Sequence, residues 1–163
     1  MYRVGVLTLS DRGFRGERED LSGKVIKEMV KGIQGQVVCY EVIPDDLNLI
    51  KEKLIQWSDE DKLNLILTTG GTGLSPRDVT PNATLEVIDY EVPGIGEAMR
   101  RESMKKTPKA ILSRAVAGVR GQTLIINLPG SPKAVRECFG VIIEALPHGL
   151  DVLMGQVEDC AEK

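Results

Sequence analysis

Residues 63–83 read LNLILTTGGTGLSPRDVTPNA, and this stretch decides the fold class. It begins with a short, dense apolar run at residues 63–67, with polar residues on both sides. A run of this length favours a parallel strand buried on both faces over a helix. Gly70, Gly71 and Gly73 then end the run, so the stretch predicts a strand followed by a glycine-rich loop.

The loop and the residues after it have the features of an anion-binding turn. Glycine permits positive φ and lets a ligand approach backbone N–H groups closely. We expect the Thr80 oxygen to cap a helix whose first position is Pro81. Phosphate is favoured at such helix starts, at the carboxyl ends of strands in open α/β sheets. The loop matches neither the Walker A motif nor G-x-G-x-x-G, so a phosphate site and a plain tight turn both remain open.

Asp78 is a candidate site residue in the same loop. A carboxylate beside an anion-binding loop repels phosphate unless it carries a metal ion or fixes the geometry of the loop. The alternative is a hydrogen bond from local N–H groups to Asp78. Its neighbour Arg77 either contacts phosphate or braces Asp78.

The chain before this stretch predicts alternating strands and helices. The expected order is a strand at 4–9, a helix around 21–33, a strand at 36–43, a helix capped by Asp45 or Asp46, and a strand at 63–68. Such an order predicts βαβ units with parallel strands.

The chain after it predicts an antiparallel addition to the sheet. A helix at 81–90, a glycine loop at 94–96 and a helix at 97–105 precede two extended runs, 110–119 and 123–128. The short turn between these runs predicts a hairpin. The predicted fold class is α/β, a three-layer sandwich in which helices flank a mostly parallel, mixed central sheet.

Residues 127–133, NLPGSPK, predict a second strand-to-helix turn. Gly130 follows the strand, Ser131 is the expected cap, and Pro132 suits the first helical turn. Lys133 can add a positive charge for phosphate. Two phosphate-binding turns, or two ordinary capped helices, both fit this spacing.

Composition sets the broad class of the protein. The 163 residues, 42% hydrophobic and 28% charged, predict one globular domain at 1–155 and a tail at 156–163. The net charge of −3 argues against a nucleic-acid-coating surface. We find no membrane-spanning run or signal peptide, which predicts a cytoplasmic protein. Three cysteines without CxxC spacing predict reduced thiols, with Cys39 and Cys138 in the core and Cys160 in the tail.

No nucleophile–histidine arrangement accompanies these turns. The single histidine, His148, belongs to no recognisable catalytic sequence motif, which favours a structural role. Carboxylates, backbone donors and a few cations remain. They suit phosphoryl or nucleotidyl transfer, in which positioning and charge neutralisation dominate.

Residues 68–84, TTGGTGLSPRDVTPNAT, closely resemble the signature of the MogA/MoaB family, the molybdopterin adenylyltransferases of molybdenum cofactor biosynthesis, and the chain resembles the MogA-like branch more. Asn82 departs from the acidic residue that is common there. Further family-like segments are VLTLSDRG (6–13), IPDD (43–46), VPGIGEAMR (92–100), AILSRAVAGV (110–119) and NLPGSPKAV (127–135).

The resemblance implies a reaction and a set of site residues. Molybdopterin would be adenylylated with ATP and Mg²⁺, and the family's two critical aspartates fall on Asp45 and Asp78, which would also hold the metal, directly or through water. Molybdopterin or nucleotide would be bound by Thr8, Ser10, Asp11, Thr69, Gly70, Gly71, Thr72, Gly73, Gly130, Ser131 and Lys133.

The resemblance also implies partners. They are a second and third copy of the chain in a homotrimer, and a separate molybdate-insertion protein. Two other functions remain open, a nucleotide-linked pyrophosphatase on the same fold and a non-catalytic molybdopterin carrier.

Overall fold

The computed structural model describes residues 1–157, which form alternating strands and helices. Cys160 lies outside these residues. The first half contains β1 (Tyr2–Leu9), α1 (Asp11–Phe14), α2 (Leu21–Val30), β2 (Gly35–Ile43), α3 (Leu47–Ile55) and β3 (Leu65–Thr69). The second half contains α4 (Thr80–Val87), β4 (Tyr90–Glu91), α5 (Pro93–Met104), β5 (Ala117–Arg120), β6 (Thr123–Leu128), α6 (Pro132–Ile142) and α7 (Leu146–Leu153).

The six strands form one mixed sheet in the order β2-β1-β3-β6-β5-β4. β2, β1, β3 and β6 run parallel to one another, while β5 pairs antiparallel with both β6 and β4. The predicted parallel units and the antiparallel hairpin are therefore confirmed. The chain leaves β1 for β2 on one side and later returns to place β3 on the other side, so the strand order reverses between β1 and β3. Open α/β sheets bind ligands at such a point.

Two hydrophobic cores, one on each face of the sheet, make the three layers. The larger core joins the sheet to α2, α5, α6 and α7 through residues such as Ile26, Met99 and Phe139. The smaller core joins the opposite face to α3 and α4, with Trp57 fully buried in it. The central strands are buried on both faces, since all five residues of β3 and all six of β6 are buried. This explains why their sequences are continuous apolar runs.

The predicted cap at Thr80 is wrong. The residue before α4 is Val79, and no side chain caps this helix. Thr80 is instead the first helical residue, its backbone N–H donates to the carbonyl of Gly71, and its side chain is buried. The hydrogen bond to Gly71 connects the start of α4 to the glycine-rich loop. The Thr80 hydroxyl therefore lies inside the protein and not at the exposed end of the helix.

Three other boundaries differ from the prediction. The run 110–119 is extended only from Ala117, because Pro108–Leu112 forms a 3-10 helix. The expected glycine loop at 94–96 is the first turn of α5, where Gly96 packs so closely on the carbonyl of Ala115 that a β-carbon would lie 3.1 Å from it. The helix predicted at 81–90 already ends at Val87, as α4.

Neither Cys39 nor Cys138 takes part in a disulfide within the described residues, and their reduced state stays a prediction. Cys138 is buried in the larger core, as predicted. Cys39 is only half-buried and packs against the smaller core, so its predicted core position is partly correct. Within residues 1–157, no helix is both long enough and apolar enough to cross a membrane.

Candidate functional site

A cleft of about 410 Å³ opens at the carboxyl ends of β1, β3 and β6. It lies at the reversal of strand order, where the loops after three parallel strands meet. Its lining comprises Thr8, Leu9, Ser10, Asp11, Arg12, Gly13, Arg18, Glu19, Asp20, Leu21, Ser22, Asp45, Thr69, Gly70, Gly71, Asp78, Gly130, Ser131 and Pro132. The two predicted phosphate-binding turns therefore belong to one site.

Asp45 and Asp11 hold each other through reciprocal backbone contacts. The backbone N–H of Asp11 donates to Asp45 Oδ2 at 3.2 Å, and the N–H of Asp45 donates to Asp11 Oδ1 at 3.0 Å. This exchange fixes the loop after β2 against the loop after β1. Burial raises the pKa of Asp45, and the charges of Asp11 and Asp78 raise it further.

Arg77 braces Asp11 and not Asp78, which corrects one of the two predicted roles of this residue. Its Nε donates to Asp11 Oδ2 at 3.0 Å and its Nη2 to Asp11 Oδ1 at 2.9 Å. Such a bidentate ion pair fixes the relative orientation of the guanidinium and the carboxylate. The hydrogen bond from Arg77 lowers the pKa of Asp11. The chain of contacts Arg77–Asp11–Asp45 thus joins three loops around the cleft.

Asp78 turns back into its own loop. Its Oδ2 accepts the backbone N–H of Ser75 at 3.1 Å, which agrees with the local hydrogen bond considered from the sequence. A β-carbon at Gly73 would lie 2.9 Å from the same oxygen. Asp78 also lines the cleft with Asp45, so one carboxylate both shapes the loop and faces the site.

Arg114 supports the 70–79 loop from outside the cleft. Its Nε donates to the carbonyl of Gly73 at 2.9 Å, and its Nη2 donates to the carbonyl of Asp78 at 2.6 Å. Its Nη1 reaches the side-chain oxygen of Asn82 at 3.0 Å. The neutral Asn82 therefore still provides an acceptor where the family commonly has an acid. Sequence patterns did not indicate Arg114, because it lies about 40 positions from the loop it holds.

The glycines of the first turn are needed for two reasons, their backbone conformation and their close contacts. Gly70 and Gly71 have φ of 96° and 69°, values that favour glycine. A β-carbon at Gly70 would lie 2.5 Å from the carbonyl of Leu9, and one at Gly71 would lie 2.3 Å from Thr80 Oγ1. Both glycines therefore let the loop approach its neighbours.

The second turn is fixed to the first and to α2. The hydroxyl of Thr69 donates to the carbonyl of Pro129 at 2.6 Å, and that of Ser22 donates to the carbonyl of Gly130. Ser131 caps α6 by accepting the N–H of Ala134 at 3.2 Å, as predicted. The positive end of α6 thus points at the cleft beside the glycine-rich loop.

Asp20, which the sequence analysis did not select, organises the wall formed by β1 and α2. It caps α2 by accepting the N–H of Gly23 at 2.9 Å, and it accepts the hydroxyl of Thr8 at 2.7 Å. The hydroxyl of Tyr40 donates to the same oxygen as Thr8. Burial, followed by this bond, raises the pKa of Tyr40. The pattern Asp-x-x-Gly at a helix start was the available sequence signal.

Arg12 and Arg18 are the basic residues in the lining, among five carboxylates. They too were missed, because isolated arginines in a polar loop are typical of any solvated surface. Of the predicted ligand-binding residues, most line the cleft, whereas Thr72, Gly73 and Lys133 are not part of its lining. Lys133 is exposed on α6.

The carboxylates of the cleft fit Mg²⁺ bound together with a phosphate ligand. Asp45 Oδ1 is buried and accepts no hydrogen bond from the residues that the structure describes, so it is open to a cation or a donor. Within residues 1–157, no group of three His, Cys, Asp or Glu side chains could hold a metal. Mg²⁺ is commonly bound by two aspartates, and phosphate oxygens and water complete its coordination shell.

Comparisons with known proteins identify relatives over almost the whole chain. The family model described as "Probable molybdopterin binding domain" matches residues 5–148. The chain is 45% identical over 162 residues to the molybdopterin adenylyltransferase of Helicobacter pylori strain J99, covering 98% of this chain and 92% of that protein. It is 44% identical over 154 residues to the molybdopterin adenylyltransferase of Escherichia coli K12, covering 91% of this chain and 79% of that protein.

Solved structures agree in fold. The molybdopterin biosynthesis enzyme MoaB from Thermus thermophilus superposes with a TM-score of 0.90 at 54% identity, covering 95% of this chain and 98% of that one. A structure of MogA superposes with a TM-score of 0.88 at 38% identity, covering 93% and 99%. Both names of the resembled family therefore occur among the matches.

Proposed function

Because the chain belongs to the molybdopterin-binding domain family of molybdenum cofactor biosynthesis, we propose that it adenylylates molybdopterin with ATP. The observation that carries this proposal is one cleft that combines two strand-to-helix turns, at Gly70–Gly71 and Gly130–Ser131, with Asp45 and Asp78. The relatives named molybdopterin adenylyltransferase support the substrate.

The reaction transfers a nucleotidyl group. An oxygen of the terminal phosphate of molybdopterin attacks the α-phosphorus of ATP and forms a new P–O bond. The bond from that phosphorus to the β-phosphate oxygen breaks, and pyrophosphate leaves with the electron pair. A phosphate monoester has a second pKa of about 6, so the attacking oxygen is ionised at neutral pH and needs no general base. His148, which does not line the cleft, is not required for the step.

The residues of the chain position the two phosphates. The N–H groups of Gly70 and Gly71 and the start of α6 at Ser131 are suited to bind phosphate oxygens. Arg12 and Arg18 reduce the repulsion between these anions and the acidic lining. Such positioning supplies much of the rate in phosphate chemistry.

Asp45 and Asp78 are the proposed holders of Mg²⁺. The ion, when bound, would neutralise charge on the phosphate oxygens. The reciprocal contacts with Asp11 hold the backbone and one carboxylate oxygen of Asp45, while Asp78 is held by Ser75. Both carboxylates are therefore oriented before a substrate arrives.

The test is to incubate the protein with molybdopterin, ATP and Mg²⁺ and to detect adenylylated molybdopterin by mass. The variant Asp78→Asn should keep the fold, because the amide oxygen can still accept the Ser75 N–H. It should lose about 100-fold in turnover, as when one preorganised charge is removed from an active site. Glu17→Gln is the matched control, since it removes an exposed carboxylate outside the cleft lining.

The other outcomes discriminate between functions. Near-normal turnover by Asp78→Asn would contradict the proposed role of Asp78 in the reaction. Release of AMP without an adduct would indicate the pyrophosphatase, and tight molybdopterin binding without turnover would indicate the carrier.

Three broader features are proposed on the resemblance. They are a homotrimer, a cytoplasmic location and transfer of the product to a separate molybdate-insertion protein. Cysteines without CxxC spacing, of which Cys39 and Cys138 form no disulfide within residues 1–157, support the location. Sedimentation of the purified protein would test the trimer.

A further inference from the structure

Two polar atoms beside the glycine-rich loop are buried without a hydrogen-bond partner among residues 1–157. They are Oγ1 of Thr80 and Oδ1 of Asp45. Thr80 has no exposed surface. A buried hydroxyl or carboxylate oxygen without a partner costs free energy, and native proteins pair nearly all such groups. Each of these atoms therefore indicates a role that folding alone does not explain.

The two oxygens lie around the same point. The position that a β-carbon would occupy at Gly71 is 2.3 Å from Thr80 Oγ1 and 3.2 Å from Asp45 Oδ1. Because Gly71 has no side chain, nothing from that residue separates the two. One atom is a hydroxyl that can donate, and the other is a carboxylate oxygen that accepts.

The backbone of Thr80 is held firmly. Its N–H donates to the carbonyl of Gly71 at 3.2 Å, and its own carbonyl accepts the hydroxyl of Thr84 at 2.9 Å. The position of the hydroxyl is thus tied both to the glycine-rich loop and to α4. It provides a rigid reference for a neighbouring carboxylate.

We propose that Thr80 is a positioning residue for Asp45. Its hydroxyl donates a hydrogen bond to Asp45 Oδ1, directly or through one water, while the N–H of Asp11 holds Oδ2. Both oxygens of the carboxylate are then fixed from opposite sides, so that its orientation toward the phosphates is set. The expected effect on turnover rests on the proposed adenylyl transfer. The contact between Thr80 and Asp45 is independent of that proposed function.

The variants Thr80→Val and Thr80→Ser separate positioning from folding. Valine keeps the shape and removes the hydroxyl, and its helix propensity is close to that of threonine. Because valine would leave the buried Asp45 Oδ1 without its proposed donor, Thr80→Val should unfold at a somewhat lower temperature than the wild type and stay folded at the assay temperature. Its kcat should fall by about 10- to 100-fold, as is usual for residues that orient metal-binding groups. Thr80→Ser should retain turnover close to the wild type.

Thr84→Val is the matched control on the same helix. Thr84 is also fully buried, but its hydroxyl donates to Thr80 and accepts from Asn127 at 3.0 Å. Its loss should also lower the unfolding temperature, while kcat measured below that temperature should fall less than in Thr80→Val, because the Thr80 hydroxyl and the bond from the Thr80 N–H to Gly71 remain. Turnover, and not stability, should therefore distinguish the two valine variants.

A high-resolution crystal structure of the wild type provides a readout that does not depend on activity. We expect Thr80 Oγ1 within about 2.8 Å of Asp45 Oδ1, or one water bonded to both. A hydroxyl bonded elsewhere, or full turnover by Thr80→Val, would overturn the proposal. If the wild type forms no adduct, the proposed function fails, and the crystal structure still decides the contact.

Discussion

At the scale of single residues, the cleft depends on places where a side chain is missing. Gly70 and Gly71 bring the loop after β3 against Leu9 and Thr80. The space beside Gly71 is also where the oxygens of Thr80 and Asp45 come together. A glycine at this position therefore allows the close approach of these two side chains as well as the turn of the backbone.

Gly71→Ala should damage the protein more than Gly16→Ala. Both glycines have positive φ, 69° and 75°, so each alanine incurs about 1 kcal/mol of backbone strain. At Gly16 a β-carbon would meet nothing within 4 Å, whereas at Gly71 it would lie 2.3 Å from Thr80 Oγ1. We expect a further loss of about 1–3 kcal/mol from overpacking at Gly71.

Urea unfolding of the two alanine variants measures this difference directly. Turnover of Gly71→Ala should also fall, because Thr80 must move. Equal destabilisation of the two variants would contradict the close contact at Gly71.

The placement of a residue in the cleft was predictable where the residue belongs to a compact motif. Asp45, Asp78, Gly70 and Ser131 were selected from short segments, and they line one cleft. Asp20 and Arg114 were missed because their partners are far along the chain or their motif is short and common. The inward turn of the Thr80 hydroxyl depends on tertiary packing, which the Thr-Pro pattern does not contain.

At the scale of elements, the helix starts separate stability from function. Asp46 caps α3 by accepting the N–H of Leu49 at 3.0 Å, and it is absent from the cleft lining. Its neighbour Asp45 faces the cleft. Two adjacent aspartates in the segment IPDD therefore have different tasks.

Asp46→Ala should lose about 1 kcal/mol of stability, the usual contribution of a helix cap. Its turnover at a temperature where it is folded should equal that of the wild type. Asp46→Asn keeps a capping oxygen and serves as the control, with stability near the wild type. Thermal unfolding and adduct formation, measured on the same samples, check both expectations. Loss of turnover without loss of stability would place Asp46 in the site instead.

The elements themselves were predicted best where their apolar pattern was continuous. The parallel strands and the β5–β6 hairpin follow from runs such as 63–68 and 123–128. The prediction of an extended run at 110–119 was wrong at its start, because residues 110–112 are apolar but belong to the 3-10 helix Pro108–Leu112. Its exposed side chains Ile111 and Leu112 have the composition of a strand but lie in a 3-10 helix, and composition alone does not distinguish the two.

At the scale of the whole molecule, Arg120 joins the antiparallel end of the sheet to the layer of α3 and α4. Its Nε and Nη2 donate to the two oxygens of Asp59 at 3.0 and 2.7 Å, and its Nη1 donates to the carbonyl of Val87 at 2.8 Å. The hydrogen bond from Arg120 lowers the pKa of Asp59. An ion pair thus connects segments that are about 60 positions apart.

This pair predicts a specific pH dependence of stability. A carboxyl whose pKa is lowered by folding stabilises the folded state above its unfolded pKa of about 3.9, and that contribution disappears as the pH falls through the folded pKa. Asp59→Asn should therefore be less stable than the wild type at pH 7, by up to about 1 kcal/mol because the pair is exposed. The difference should vanish at strongly acidic pH.

Urea titrations followed by tryptophan fluorescence are the appropriate measurement. Trp57 is the single tryptophan, and it is 1% exposed in the smaller core, next to the segment that carries Asp59. A difference between wild type and Asp59→Asn that stayed constant from pH 7 to acid would exclude the ion pair as its source.

The strand order has a consequence for synthesis on the ribosome. β6 is the last strand to be made, yet it lies inside the sheet, between β3 and β5. Until residue 128 has left the exit tunnel, a nascent chain presents β3 as an open edge of apolar residues, the kind of edge that recruits other chains into aggregates. The cleft is completed at the same moment, since Gly130 and Ser131 follow that strand directly. A prematurely terminated product would thus lack one wall of the cleft and be a substrate for chaperones and proteases.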